Sequence, residues 1–475
     1  MINDFFNILL PQGCLGLFVI IQLVCAMIIS PRFYKVARFV SLTAVALSIA
    51  LLSTVQVEPQ YFGFRNAVMS DSYTLLFHFI ILLCAFFVIL LTENIAKTMK
   101  QNTFVFQAIL LSSILGALCV VSANDILTLF VSLELLNFPT YFLIASAKGY
   151  YSKEASFKYL ITSAVSTGVF LFGASYLYGI TGSLNFNDIY ETVIEQSPSM
   201  VYSFASIMVV LGLLAKLAIF PFANWVIDVY KGCESSVLAF LSTIPKLAVF
   251  AILCRLLVFP LGNSFELTLV IAITAIVTGF WANTCAIRSQ NVKAVLACST
   301  AANASYVLLA ACLLSVYNLS TVIFYLVCYV LMNIAVFSFL NICETNNIGN
   351  QIEQFKGLVK KNFGLCLAYT IALLGLAGFP ITSGFVAKIY LFSAIVHSGL
   401  IFIPFLIALL ILTVIALFYY LKLIRPLYDE NENSVELKVS FSQKLVLWTT
   451  VIVTVLIGVF PEKLIELCRF IAYNI

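Results

Sequence analysis

Residues 203–222 read SFASIMVVLGLLAKLAIFPF. This is the roughly 20-residue apolar length that crosses a bilayer, yet it holds an amine, Lys216, and a proline five positions later, Pro221. The stretch reads as a transmembrane helix interrupted beside a buried charge.

Composition extends that reading to the whole chain. Of 475 residues, 62% are hydrophobic and only 10% are charged, where a soluble domain carries about 25% charged residues. Mean hydropathy is +1.08. Fourteen apolar windows run from 13–29 to 443–460, and at about 20 residues each they leave almost nothing for a soluble domain. The expected fold is an all-α polytopic membrane protein with about 14 transmembrane helices, the seventh (203–222) and twelfth (363–392) being broken by Pro and Gly. A nucleic-acid binder, a secreted disulfide scaffold and a water-soluble dehydrogenase are excluded.

The first twelve residues contain Asp4 and no Lys or Arg, so 13–29 is expected to be a retained span and not a cleaved signal. The tail after the last window is too short for a lateral arm. Thirteen cysteines form no C-x-x-C pair, and ten lie in apolar runs, where they act as small hydrophobes. Two histidines, His78 and His397, are too few for membrane haem ligation, and no compact cluster points to a metal.

Basic residues give the orientation. Seventeen of the 25 Lys and Arg fall in loops after odd-numbered windows. The opposite loops hold Arg65, Arg255, Lys463 and Arg469, and four lysines lie inside windows. Loops rich in Lys and Arg stay on the cytoplasmic side, so both termini are expected on the periplasmic side of a bacterial inner membrane.

The charges within windows are Glu134, Lys158, Lys216, Lys246 and Lys388. Each costs about 2.5–3.5 kcal/mol at the bilayer centre, and such residues mark ion or proton paths. A helical proline leaves the carbonyl four residues earlier without a donor. Pro139 and Pro221 therefore free the Leu135 and Leu217 carbonyls, each adjacent to a charge. In the twelfth window the break precedes Lys388, the reverse order expected of an inverted repeat. Lys246 follows Pro245 near mid-membrane. The competing reading for Glu134, Lys216 and Lys246 is a plain structural ion pair. For Lys158 and Lys388 it is snorkelling to the interface.

At these residues the chain resembles a known family, the antiporter-like membrane subunits of proton-pumping NADH–quinone oxidoreductase (respiratory complex I), and within it the N-type. The matching segments are Ser132-Leu-Glu134-Leu-Leu-Asn-Phe-Pro139, Glu154-Ala-Ser-Phe-Lys158-Tyr and Gly212-Leu-Leu-Ala-Lys216-Leu-Ala-Ile-Phe-Pro221-Phe222. Trp225-Val-Ile-Asp228-Val-Tyr230-Lys-Gly232, Phe240-Leu-Ser-Thr-Ile-Pro-Lys246 and Gly375-Leu-Ala-Gly-Phe-Pro380-Ile-Thr-Ser-Gly-Phe-Val-Ala-Lys388 follow in family order. Departures are Ala223 and Asn303, where the family pattern has histidine, and Cys233–Ser236 in place of a proline-rich stretch.

The resemblance implies two inverted five-helix repeats, helices 4–8 (104–259) and 9–13 (265–421). Three N-terminal helices (1–103) and a last helix with its tail (443–475) would flank them in one membrane domain. It implies a proton-translocating subunit of the oxidoreductase with no cofactor of its own. NAD, FMN, iron–sulfur clusters and quinone belong to other subunits. Its partners are the other membrane subunits, the lipid bilayer and protons, with no nucleic acid. Glu134 and Lys216 would form a charge pair, Lys246 the central carrier and Lys388 the exit-side group, with Lys158 between them. A histidine relay would give way to water and Asn303. A cation/proton antiporter of the same fold, or a scaffold whose lysines only pair, remain the alternatives.

Overall fold

The computed structural model describes residues 5–474 apart from 31–32, 58–59, 94–101, 148, 197–198, 263, 314 and 431–434. Four of the loop cations, Arg32, Lys97, Lys100 and Lys148, lie outside the described residues. Among those described, 18 α-helices account for nearly all regular structure. In order, the first eight are α1 (Leu10–Ile28), α2 (Tyr34–Leu51), α3 (Ser72–Leu91), α4 (Thr103–Ser122), α5 (Ile126–Ala145), α6 (Tyr150–Thr181), α7 (Phe186–Gln196) and α8 (Met200–Lys216). Then come α9 (Trp225–Gly232), α10 (Ser235–Val258), α11 (Phe265–Arg288), α12 (Val292–Ala311) and α13 (Val316–Thr345). The last five are α14 (Val359–Ala377), α15 (Ser383–His397), α16 (Ile403–Tyr428), α17 (Phe441–Val459) and α18 (Glu462–Tyr473). A single short hairpin, β1 (Tyr61–Gly63) with β2 (Val68–Ser70), precedes α3.

Thirteen helical segments are long and apolar enough to span a membrane. The seventeen-residue α8 makes fourteen, with α14 and α15 forming the twelfth. Side chains that start these helices are the short polar residues of the loops. Asp71 accepts from Thr74 N at 2.7 Å, and Asn291 accepts from Ala294 N at 3.2 Å, each satisfying an orphan N–H. The polar stretch after α6 contains the amphipathic α7.

Both expected breaks are present. α8 stops at Lys216, and irregular backbone with Ala218 at φ +60° runs to α9. α14 stops at Ala377, where Gly378 adopts φ +86° and Phe379 N bonds the Leu374 carbonyl at 2.9 Å. Ile381, at φ +77°, occupies a region costly for a β-branched residue. α5 continues through Pro139 to Ala145. The hydroxyls of Ser113 and Thr140 bond the Leu136 carbonyl at 2.8 and 2.7 Å. Neighbouring hydroxyls that satisfy local carbonyls let a membrane helix tolerate proline.

The chain forms two compact units. The first holds everything up to Leu217, with Ile244–Val270 and the last turn from Ile471. Its tightest helix contact joins α6 and α8 through two glycines. A Cβ on Gly173 would lie 2.7 Å from the Ala205 carbonyl, and one on Gly212 would lie 2.8 Å from Phe170 backbone. The second unit holds Ala218–Thr243 and Ile271–Phe470, with α13 packed on α15 and α17.

Arg255, read above as an outer-loop residue, is instead buried in α10. It pairs with Asp71 at 2.6 Å, bonds the Val121 carbonyl at 3.1 Å and lies 5.1 Å from the Tyr73 ring centre. Removing one member of such a pair costs about 3–5 kcal/mol because the other stays buried and unpaired. Arg255→Met should therefore sharply lower the amount of folded subunit extracted from membranes, and adding Asp71→Asn should recover part of it. Normal yield from Arg255→Met alone would contradict that role.

Candidate functional site

α6 places Ser163 and Thr167 one turn apart, where side chains four residues apart share a face. The close α6–α8 contact brings that face to Lys216, the last residue of α8. Its amine is buried and donates to the Ser163 hydroxyl at 2.5 Å and to the Thr167 hydroxyl at 3.3 Å. Thr167 in turn donates to Glu134 Oε1 at 2.9 Å. Glu134 and Lys216 are thus brought together through a hydroxyl, where a direct charge pair was expected. A hydroxyl that accepts from one group and donates to the other can pass a proton between them.

Lys158 lies on the same helix but outside this group. It pairs with Glu154 at 2.8 Å, and both side chains are more than a third exposed. Surface pairs of this kind contribute about 0–1 kcal/mol.

Lys246, in α10, is 3% exposed, and its amine has no hydrogen-bond partner among the described residues. A buried charge is costly unless paired, so the structural ion-pair reading does not hold for this residue. Glu134, Lys158, Lys216 and Lys246 all belong to the first unit.

Lys388 belongs to the second unit, on α15. Its amine bonds the Leu376 and Ala377 carbonyls at 2.9 and 2.8 Å. Leu376 is the residue whose helical donor would be the nitrogen of Pro380. The lysine fills the place that proline leaves open, at the negative end of α14. The Tyr306 ring lies 5.5 Å from the amine. Asn303 accepts from Tyr325 at 2.7 Å and donates to Tyr420 at 3.2 Å, and the Ser299 and Tyr420 hydroxyls lie 2.5 Å apart.

The sequence reading missed Ser163, Thr167, Tyr325 and Tyr420. Hydroxyl residues are common in membrane helices, so no spacing or composition signal distinguishes these four.

A transmembrane family described as NADH:quinone oxidoreductase/Mrp antiporter matches residues 123–416. The chain belongs to this family. The match covers Glu134, Lys158, Lys216, Lys246 and Lys388 together with Asn303 and Tyr325 of the second unit. Among curated relatives, NADH-quinone oxidoreductase subunit N of Ruthia magnifica subsp. Calyptogena magnifica is 30% identical over 96% of this chain and 95% of its own length. Among solved structures, a chain of respiratory complex I from Thermus thermophilus superposes with TM-score 0.81 at 26% identity, covering 97% of this chain and 99% of that one. A chain of the Mrp complex from Dietzia sp. shares the fold, with TM-score 0.83 at 19% identity over 98% of this chain and 97% of that one.

Within this NADH:quinone oxidoreductase/Mrp antiporter fold, Thr167 is the atom-level link between Glu134 and Lys216. A hydrogen bond to a charged group contributes about 1.5–3 kcal/mol, so its loss should slow transfer about ten-fold or more. Thr167→Val should leave the subunit assembled and lower NADH-driven proton uptake by inverted membranes, while Thr167→Ser retains most of it. Equal uptake in the Val and Ser variants would show that the hydroxyl is not used.

Proposed function

We propose that this chain is the N-type proton-translocating subunit of a bacterial NADH–quinone oxidoreductase. In this reading it carries no redox centre, and electrons pass from NADH through FMN and iron–sulfur clusters to quinone in other subunits. The observation that carries it is the buried, unpartnered amine of Lys246. A lysine in this setting anchors no structure, and intramembrane ionisable residues mark proton paths.

Protons load onto Lys216, whose exchange with Glu134 runs through Thr167. They pass by way of Lys246 to Lys388, and Lys388 can hold one against the carbonyls at the end of α14. Movement of Glu134 toward or away from Thr167 changes the electrostatic support for charge on Lys216, which couples the groups without covalent chemistry. Lys158, held at the surface by Glu154, stands aside from this relay. The two five-helix repeats, 104–259 and 265–421, would each supply one break, between α8 and α9 and between α14 and α15. The basic loops face the cytoplasm, which puts both termini in the periplasm of the inner membrane.

The fold shared with the Mrp complex favours a second reading, a subunit that exchanges a cation for protons. Gentle solubilisation and affinity capture of the tagged chain tests both. Co-purifying membrane subunits with NADH–quinone activity are expected. Sodium-dependent proton exchange by the chain without such partners would overturn the proposal in favour of the second reading.

A further inference from the structure

The second unit holds a buried ion pair that this relay does not use. Lys293, in the first turn of α12, pairs with Glu344 of α13 and donates to the Cys233 carbonyl beyond α9. The lysine side chain is 3% exposed and the glutamate side chain 23%, so one partner faces inward and the other reaches water. Glu344 lies in the last turn of α13, where a negative charge opposes the helix dipole. Apart from Lys293, its support is the Ser235 N–H at 2.9 Å. The arrangement is therefore sensitive to any change in the charge of either partner.

Behind the pair, α12 is buried along its length yet carries Lys293, Ser299, Thr300, Asn303 and Tyr306. From Lys293 to Tyr306 the helix rises about 20 Å, more than half of a hydrocarbon core about 30 Å thick. Thr300 meets the Tyr230 hydroxyl at 3.3 Å. One turn further lies the Asn303 group with Tyr325, Tyr420 and Ser299, and one turn beyond that Tyr306, whose ring faces the Lys388 amine. Among the described residues, the hydroxyls of Ser235 and Ser236, beside the pair, are buried without a hydrogen-bond partner. Native buried polar groups nearly always have one, and polar interior space is where ordered water is held.

We propose that Lys293 and Glu344 form the gate of a proton-access route that runs along α12 from the basic-loop side of the membrane to Lys388. The proposal rests on the proton-translocating reading above and adds a second point of access to it. A proton from water binds the Glu344 carboxylate and cancels its attraction for Lys293. Water and the hydroxyls of Tyr230, Thr300, Ser299 and Tyr420 then carry the charge inward, each oxygen taking one proton and releasing the one it held. Neutral Lys388 accepts the last proton. Glu344, having given up its proton to the first water, is again a carboxylate and re-forms the pair, which closes the route against back-flow.

The test uses the whole complex in inverted vesicles, with NADH-driven proton uptake measured per assembled complex. Glu344→Gln, Tyr230→Phe and Thr300→Val should each lower uptake toward the level of Lys388→Met. The exchanged pair, Lys293→Glu with Glu344→Lys, should restore assembly without restoring uptake. Should Glu344→Gln fail to assemble, Tyr230→Phe and Thr300→Val decide, since they remove a hydroxyl and no charge. Full uptake in those two variants, or full recovery in the exchanged pair, would make the pair purely structural and overturn the gate. Failure of the underlying reading looks different, because uptake would then also survive Lys246→Ala.

Discussion

A protonated amine in or near a bilayer has to be given oxygen, and three lysines of this chain find it where the helical ladder runs out. Lys388 takes the two carbonyls left open by the end of α14 and by Pro380. Lys293 takes the Cys233 carbonyl just past α9, and Lys422 bonds the Ile287 and Ser289 carbonyls at the end of α11. Each cation sits at the negative end of a helix dipole. The breaks are therefore part of the electrostatics of the protein. A continuous helix would offer these amines no free acceptor, and a lipid-facing break would leave its own carbonyls unsatisfied.

Two kinds of charged contact follow from this constraint, and they do different work. Arg255 and Asp71 are in direct contact, with Thr74, the Val121 carbonyl and the Tyr73 ring around the guanidinium. The two charges meet with no group between them. Glu134 and Lys216 are separated by one rotatable hydroxyl, so the same two charges can be coupled or uncoupled by a small displacement. Lys246 has no hydrogen-bond partner among the described residues. The glycine contacts bring α6 and α8 close together, on the same pair of helices that carry Thr167 and Lys216.

Much of the fold was legible because hydrocarbon permits so few backbone solutions. Span number and the two broken helices follow from which residues a bilayer excludes. The errors have one physical origin, since the role of a polar group depends on its neighbours. Arg255 and Lys293 lie at span ends, where a cation usually meets water, and only packing reveals that each is buried against a carboxylate. Pro139 and Pro221 follow similar motifs. α5 nevertheless continues through its proline, and hydroxyls from α4 and from its own next turn bond the Leu136 carbonyl, one residue beyond the one Pro139 leaves without a donor. The hydroxyl chain around Thr167 and Asn303 carried no signal, because serine, threonine and tyrosine are ordinary constituents of membrane helices.

The central claim is that the unpartnered amine of Lys246 carries a proton and is more than a fixed positive charge. Proton uptake driven by NADH in inverted membranes tests it when Lys246→Arg is compared with the unchanged complex at equal assembly. Guanidinium keeps its charge at every usable pH, so the account predicts that the Arg variant assembles but loses uptake as fully as Lys246→Ala. Uptake at the unchanged level in Lys246→Arg would show that the site needs only a charge, and would contradict the account.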